Sequence, residues 1–290
     1  MRNFDYEAPT SLAEATALLA KANGTARVLA GGTDLLVQLR EQLRDADLVV
    51  DVKRIPELME LNYQADQGLR LGASVPCYRI YENEAVAAAY PALADAARIV
   101  GGWQIQSRAS VGGNLCNSSP AGDTITPLIA LGARCVIAGP TGSREVLAEE
   151  FCTAPGKNVL QRGEILATIL FPSPGRNSGS AYERFIPRNE MDIAVAGVSS
   201  WVRLNADQDT IVDARVVLAA VAPTPRSAKD ASQWLIGRRT TEETFAQAGE
   251  LARKVALPIS DMRGTAEFRL HLVGVLTKRT LAKAVERARG

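Results

Sequence analysis

The spacing of apolar positions changes period along the chain, and those changes predict its elements. From Ser11 onward, Leu12, Ala15, Leu18 and Leu19 share one face of a helix. The SLAE at its start has the capping-box form, with Glu14 able to return to the Ser11 backbone. ARVLA (26–30) reads as a short buried strand ending in the sharp turn Gly31-Gly32. TDLLVQLREQLR (33–44) then predicts a helix opening on capping residues, and DLVVDV (47–52) the returning strand of a β-loop-α-β unit. Residues 58–73 suggest a hairpin around DQG, followed by alanine-rich helices at about 77–89 and 91–100. Beyond SVGGNLCNSSPAGD come an apolar helix, TITPLIALGA, and the strands ARCVIAG and ILATILFP.

PSPGRNSGS (172–180) has the composition of a linker. After it, AYERFIP, DIAVAGVSSWVRL and TIVDARVVLAAVAP predict three long strands, with helices at about 227–237, 241–255 and 265–288. The organisation is an α+β N-terminal region to about Pro172 and a smaller sheet-and-helix domain. A chain of 290 residues suits two cores of that kind.

Composition narrows the function mainly by exclusion. Lys plus Arg is 33 against 32 for Asp plus Glu, and with no basic run nothing recommends nucleic acid or an anionic membrane as partner. No apolar run approaches the roughly 18 residues of a membrane span, and MRNFDYEAPTSLAE lacks the apolar core of a signal peptide. Cys77, Cys116, Cys135 and Cys152 are scattered with no C-x-x-C pair, so no metal site is expected in this chain, and a cytoplasmic protein with reduced thiols is. Cys116 reads as a small buried hydrophobe, and Trp103, Trp201 and Trp234 as packing or interface residues. There is no G-x-G-x-x-G, no P-loop and no G-x-S-x-G. The only histidine, His271, falls in the last helical segment, so no catalytic residue is assigned. Redox chemistry here needs a cofactor.

The two glycine pairs are the candidate site. Paired glycines at the end of a strand mark unusual φ or the close approach of something bulky, and free N–H groups at a turn into a helix attract anions. Thr33 and Asp34 flank one pair, Ser110 and Asn114 the other. Each segment taken alone also reads as a tight turn leading into a capped helix.

Five segments carry a resemblance, in this order: AGGTDLL, SVGGNLCNSSPAGD, GEIL at 163–166, RNEMDIA at 188–194, and SDMRGTAEFRLHLVGVLTKR near the C-terminus. With them, over almost its whole length, the chain resembles the FAD-binding subunit of the molybdenum hydroxylases, the group containing xanthine dehydrogenase and the medium subunit of aerobic carbon monoxide dehydrogenase. The resemblance implies an α+β fold: a two-subdomain FAD-binding domain of the vanillyl-alcohol-oxidase (PCMH) type over 1–174, then a C-terminal antiparallel sheet-and-helix domain over 178–290. It implies that Val28, Leu29, Ala30, Gly31, Gly32, Thr33, Asp34 and Leu35, together with Ser110, Val111, Gly112, Gly113 and Asn114, clasp the FAD diphosphate. Asp123 matches a partner of the ribose or adenine end, Val100 and Leu166 match apolar positions around the cofactor, and Arg184 a basic residue near the flavin. Asp192 reads as a flavin ligand or as a turn residue. Ile193 follows it as in xanthine dehydrogenase, where carbon monoxide dehydrogenase has a tyrosine covering the flavin, and this suggests access by an external acceptor.

The four-cysteine insertion that some members use for a [4Fe–4S] cluster is missing, so non-covalent FAD is expected as the sole cofactor of this chain. The molybdenum cofactor and [2Fe–2S] clusters are expected on a large and a small partner subunit, in a dimer of heterotrimers. Which N-heterocycle, aldehyde or carbon monoxide is oxidised is decided on another chain, and NAD, a quinone, a cytochrome or oxygen stay open as acceptors. A stand-alone flavoenzyme of the same fold and a non-redox nucleotide-binding module are the competing readings.

Overall fold

The structure is a computed structural model, and it describes residues 2–290. Its first unit is a parallel sheet of Asp5–Glu7, Leu48–Asp51 and Ala26–Leu29, with Leu48–Asp51 in the middle. The helix Leu12–Lys21 follows the sheet's first strand, and the Ser11 hydroxyl accepts from the Glu14 N–H at 3.2 Å. The reciprocal bond differs from the expected one: Thr10, not Ser11, donates its N–H to the Glu14 carboxylate at 3.1 Å. The next helix covers only Leu35–Arg40, because Gln42 takes a left-handed φ of 58° and turns the Leu43 and Arg44 N–H groups back onto the Gln38 carbonyl. Asp34 sits at its N-cap position without a side-chain capping bond.

A five-stranded antiparallel sheet follows, in the spatial order Leu61–Gln64, Gly68–Gly72, Ile165–Phe171, Arg134–Gly139, Gly142–Leu147. Its central strand Ile165–Phe171 is buried almost throughout, which accounts for the unbroken apolar run ILATILF. The edge strand Gly142–Leu147 escapes the hydrophobic pattern because GSREVL is mostly exposed and polar. The alanine-rich stretch forms three helices rather than two. Asn83 ends Cys77–Glu82 and caps Glu84–Ala89, its side chain accepting from Val86 N–H at 3.1 Å, and Pro91 opens Pro91–Ala97. Short helices Trp103–Gln106 and Val111–Asn117 come next, the latter taking the glycine pair itself into its first turn.

The second core lies between a four-stranded antiparallel sheet (Ser178–Phe185, Ala196–Leu204, Ile211–Ala219, Arg226–Ser227) and the helices Lys229–Leu235, Glu242–Arg253 and Ala266–Ala288. Its first strand begins inside the linker-like composition, because the long helix crosses so closely that a Cβ on Gly179 would stand 2.1 Å from the Ala284 carbonyl oxygen. The second begins later than expected, at Ala196, after a loop in which Met191 has φ 56°.

Half-buried polar links join the two cores. The Arg287 guanidinium grips both oxygens of Asp95 at 2.6 and 2.9 Å, and Arg215 stacks over Trp201 while donating to the Ala130 carbonyl at 3.0 Å. Trp201 is thus a packing residue, and Trp234 lies under the Arg238 guanidinium; Trp103 packs on little and stands 84% exposed. Among the described residues no helix is long and apolar enough to cross a membrane.

Candidate functional site

A cleft of about 540 Å³ opens between the parallel-sheet unit and the five-stranded sheet. Both glycine segments reach its wall, although they come from separate elements. Each of the four glycines answers to a different constraint. At Gly31 a Cβ would lie 2.0 Å from the Arg108 carbonyl oxygen, so the first segment presses directly on the backbone that leads into the second. Gly32 carries φ +78°, a conformation side-chain-bearing residues rarely adopt. A Cβ at Gly112 would strike the Ala73 backbone at 2.5 Å. At Gly113 it would meet only the Ser110 hydroxyl oxygen, at 2.9 Å, and otherwise face the cleft.

The surrounding bonds fix this wall. Ser110 accepts from the Gly113 N–H at 3.0 Å and so starts the helix Val111–Asn117 in spite of its poor helix formers. Asn114 accepts from the Thr124 hydroxyl at 2.8 Å. Lys53 donates to the Ala30 carbonyl at 3.1 Å and to Asp51 at 2.7 Å, buttressing the first segment from behind. Gln38 donates to Asn117 at 3.1 Å and ties one wall to the other. At the GEIL stretch, Arg144 holds both Glu164 oxygens at 2.8 Å, and these bonds keep the Glu164 carboxyl below its ordinary value. The Cys116 thiol, on the cleft wall, is pushed up to about 12 by burial and then by the neighbouring Cys135 and Cys152.

Residues 2–174 match the model of the FAD-binding domain in molybdopterin dehydrogenase, and residues 180–284 that of the CO dehydrogenase flavoprotein C-terminal domain. The chain belongs to this family of flavoprotein subunits. Its relatives include the xanthine dehydrogenase FAD-binding subunit of Escherichia coli O157:H7, 34% identical over 98% of this chain and 97% of that protein. The caffeine dehydrogenase subunit beta of a Pseudomonas species is also 34% identical, over 98% and 95%. Among solved structures, carbon monoxide dehydrogenase from Hydrogenophaga pseudoflava superposes with a TM-score of 0.93 at 31% identity, covering 99% of this chain and 98% of that one. Flavoprotein subunits of this family serve molybdenum-containing dehydrogenases, so this chain is part of an oxidoreductase and carries an FAD-binding domain.

The cleft fits such a cofactor. Its volume lies within the roughly 300–1,000 Å³ of small-molecule sites, and it is walled by bare glycine backbone at a place a Cβ would fill. Of the residues singled out in the sequence, Val28, Ala30, Gly31, Gly32, Thr33, Asp34 and Leu35 line it, as do Val100, Ser110, Gly112, Gly113, Asn114 and Leu166. Leu29 and Val111 do not line it, and their side chains pack into the cores.

Asp123 and Arg184 lie off the cleft wall, paired with each other. Tyr182 donates its hydroxyl to the second Asp123 oxygen at 2.8 Å, and Arg184 also donates to the Ile99 carbonyl at 2.8 Å. Both carboxylate oxygens are therefore engaged in a bridge between the domains. Burial pushes the Asp123 carboxyl up to about 6, against the pull of Arg184 and Tyr182. Asp192 accepts from the Ile193 N–H at 2.8 Å and pairs with Arg188 at 3.4 Å, and Ile193 is 49% exposed on the same loop. His271 is exposed on the long helix.

Sequence reasoning missed Arg27, Arg44, Arg162, Asn117 and Asn158, all of which line the cleft. Arg27 and Arg162 adjoin recognised segments and were legible in principle. Arg44 carries no such signal, since the turn at Gln42 brings it there.

Proposed function

We propose that this chain is the electron-transfer flavin subunit of a multi-subunit molybdenum hydroxylase. It holds FAD non-covalently in the cleft, receives electrons from [2Fe–2S] clusters of a small partner subunit, and delivers them to an external acceptor: NAD, a quinone, a cytochrome or oxygen. Substrate is oxidised at the molybdenum cofactor of a large partner, in a cytoplasmic dimer of heterotrimers. FAD supplies the redox chemistry when bound. The observation that carries the reading is the convergence of two glycine segments, distant in sequence, on one cleft within this family of flavoproteins.

The chain's own work is positional. The functional units are 1–174, which holds the cofactor, and 178–290, which braces it. The cleft residues named above hold the cofactor, with Leu29 and Val111 contributing their backbones. Arg184 and Asp123 act at one remove, because Arg184 fixes the Ile99 carbonyl beside Val100. Asp192 sets the loop that presents Ile193, whose exposure leaves room for an acceptor.

The test is expression of the chain alone and with its partner subunits. Alone, it is expected to show a flavin absorption spectrum and no hydroxylase activity. With an iron–sulfur and a molybdenum subunit it should assemble and speed electron delivery to an acceptor. A colourless protein that takes up no FAD overturns the flavin reading, and hydroxylation by the isolated, metal-free chain makes it a stand-alone flavoenzyme instead.

A further inference from the structure

Two half-buried arginines of the cleft, Arg27 and Arg44, stand on the same wall as the first glycine segment. Among the described residues neither has an acidic side chain within ion-pair distance. Arg27 donates from Nε to the Asp45 carbonyl at 3.1 Å, which leaves its terminal nitrogens free for another acceptor. Arg44 extends across the cleft: a Cβ on Gly156, in the turn of the small hairpin Cys152–Ala154 and Lys157–Asn158, would lie 3.5 Å from its guanidinium. Burial first, and then the Arg44 charge, lower the pKa of Arg27, with Asp45 pulling the other way. Burial raises the pKa of Asp34, at the end of the first glycine segment, and the Arg44 charge opposes that rise. Two like charges are thus held together in a partly desolvated cleft, an arrangement that an anion relieves and that planar guanidinium groups recognise through paired hydrogen bonds.

We propose that Arg27 and Arg44 are the phosphate-recognising pair of this cleft, taking the negative charge of the dinucleotide's diphosphate while the glycine segments supply bare backbone. This rests on the FAD reading above. It gives the pair a role in selecting a ligand: binding should depend on the diphosphate, and not only on the flavin ring.

The experiment uses the full chain stripped of flavin. FAD is titrated by flavin fluorescence and ADP by calorimetry, each at several salt concentrations, for wild type, Arg27→Gln, Arg44→Gln and Arg44→Lys. Arg40→Gln, at an exposed arginine beside Glu41, is the control. Each cleft variant to Gln is expected to bind both FAD and ADP about tenfold more weakly, with a shallower salt dependence. Arg44→Lys should recover part of the loss, and Arg40→Gln should match wild type. A thermal melt keeps folding separate: the ligand-free glutamine variants should melt no lower than wild type, because a like-charge contact is gone. Unchanged FAD and ADP affinity in the cleft variants, or equal loss in Arg40→Gln, overturns the proposal while leaving the flavin reading intact. If wild type binds no FAD, the flavin reading falls and this inference with it.

Discussion

At Gly113 a side chain would enter the cleft, whereas at Gly112 it would enter the Ala73 backbone. The two neighbours therefore separate ligand binding from folding. Gly113→Val is expected to keep its circular dichroism spectrum and lose most of its flavin, while Gly112→Val should lose folded protein first. Equal flavin-to-protein ratios in wild type and Gly113→Val would remove the cleft from consideration as the cofactor site. Cys116 is the one thiol on the wall, and a thiol pushed up to about 12 stays protonated at neutral pH. Acid precipitation is accordingly expected to leave colourless protein with free FAD in the supernatant, and a yellow pellet would show a covalent bond. At this scale the sequence was informative about Gly32, whose turn is local, and about the polar residues beside each pair. It could not reveal that Gly31 and Gly112 are small because of Arg108 and Ala73, since those neighbours arrive from elsewhere in the chain. Nor could it show that Asp123 and Arg184 satisfy each other across a domain boundary.

Among the elements, the helix Val111–Asn117 depends on its cap. Ser110→Ala removes the acceptor for the Gly113 N–H and should cost about 1 kcal/mol in denaturant unfolding, with a matching drop in FAD affinity. The Arg144–Glu164 fork ties the strand Gly142–Leu147 to the turn before Ile165–Phe171. Because the bonds from Arg144 lower the Glu164 pKa on folding, the folded state binds fewer protons there. That contribution to stability is complete above the unfolded value of 4.5 and disappears as pH falls through the lower folded value. Glu164→Gln should flatten this part of an acid-unfolding profile, and an unchanged slope would mean the fork has no energetic weight. Strands with a continuous or alternating apolar pattern, such as Ile165–Phe171 and Ala196–Leu204, were legible; Gly142–Leu147 and the small hairpin were not, since their burial is slight. That the helix Val111–Asn117 includes its glycine pair was hidden for another reason: glycines oppose helix formation, and tertiary contact with Ala73 overrides them.

For the whole molecule, the bridge of Arg184, Asp123 and Tyr182 is the test of how firmly the two cores are joined. Arg184→Ala leaves a buried carboxylate without its counter-charge and should cost about 3–5 kcal/mol in urea unfolding. If Arg184 works only through Ile99, the surviving folded protein keeps nearly normal flavin content; complete loss of flavin at unchanged stability would place it at the cofactor directly. The two-part layout was legible from the Pro-, Gly- and Ser-rich stretch at 172–180. The way the cores meet was not, because Asp95–Arg287 and Arg215–Ala130 are contacts between residues that no local pattern links.

The pressure of Gly31 on the Arg108–Ala109 backbone has a kinetic consequence. A contact between segments so far apart in sequence carries a large loop-closure cost and is expected to form late. The binding surface should then be missing from early, partly folded species, so the ligand is expected to find nothing to grip until the rate-determining step has passed. Refolding should proceed at the same rate with or without flavin in the buffer, and flavin added at the end should be captured in full. What the ligand changes is the reverse journey, by slowing escape from the native state.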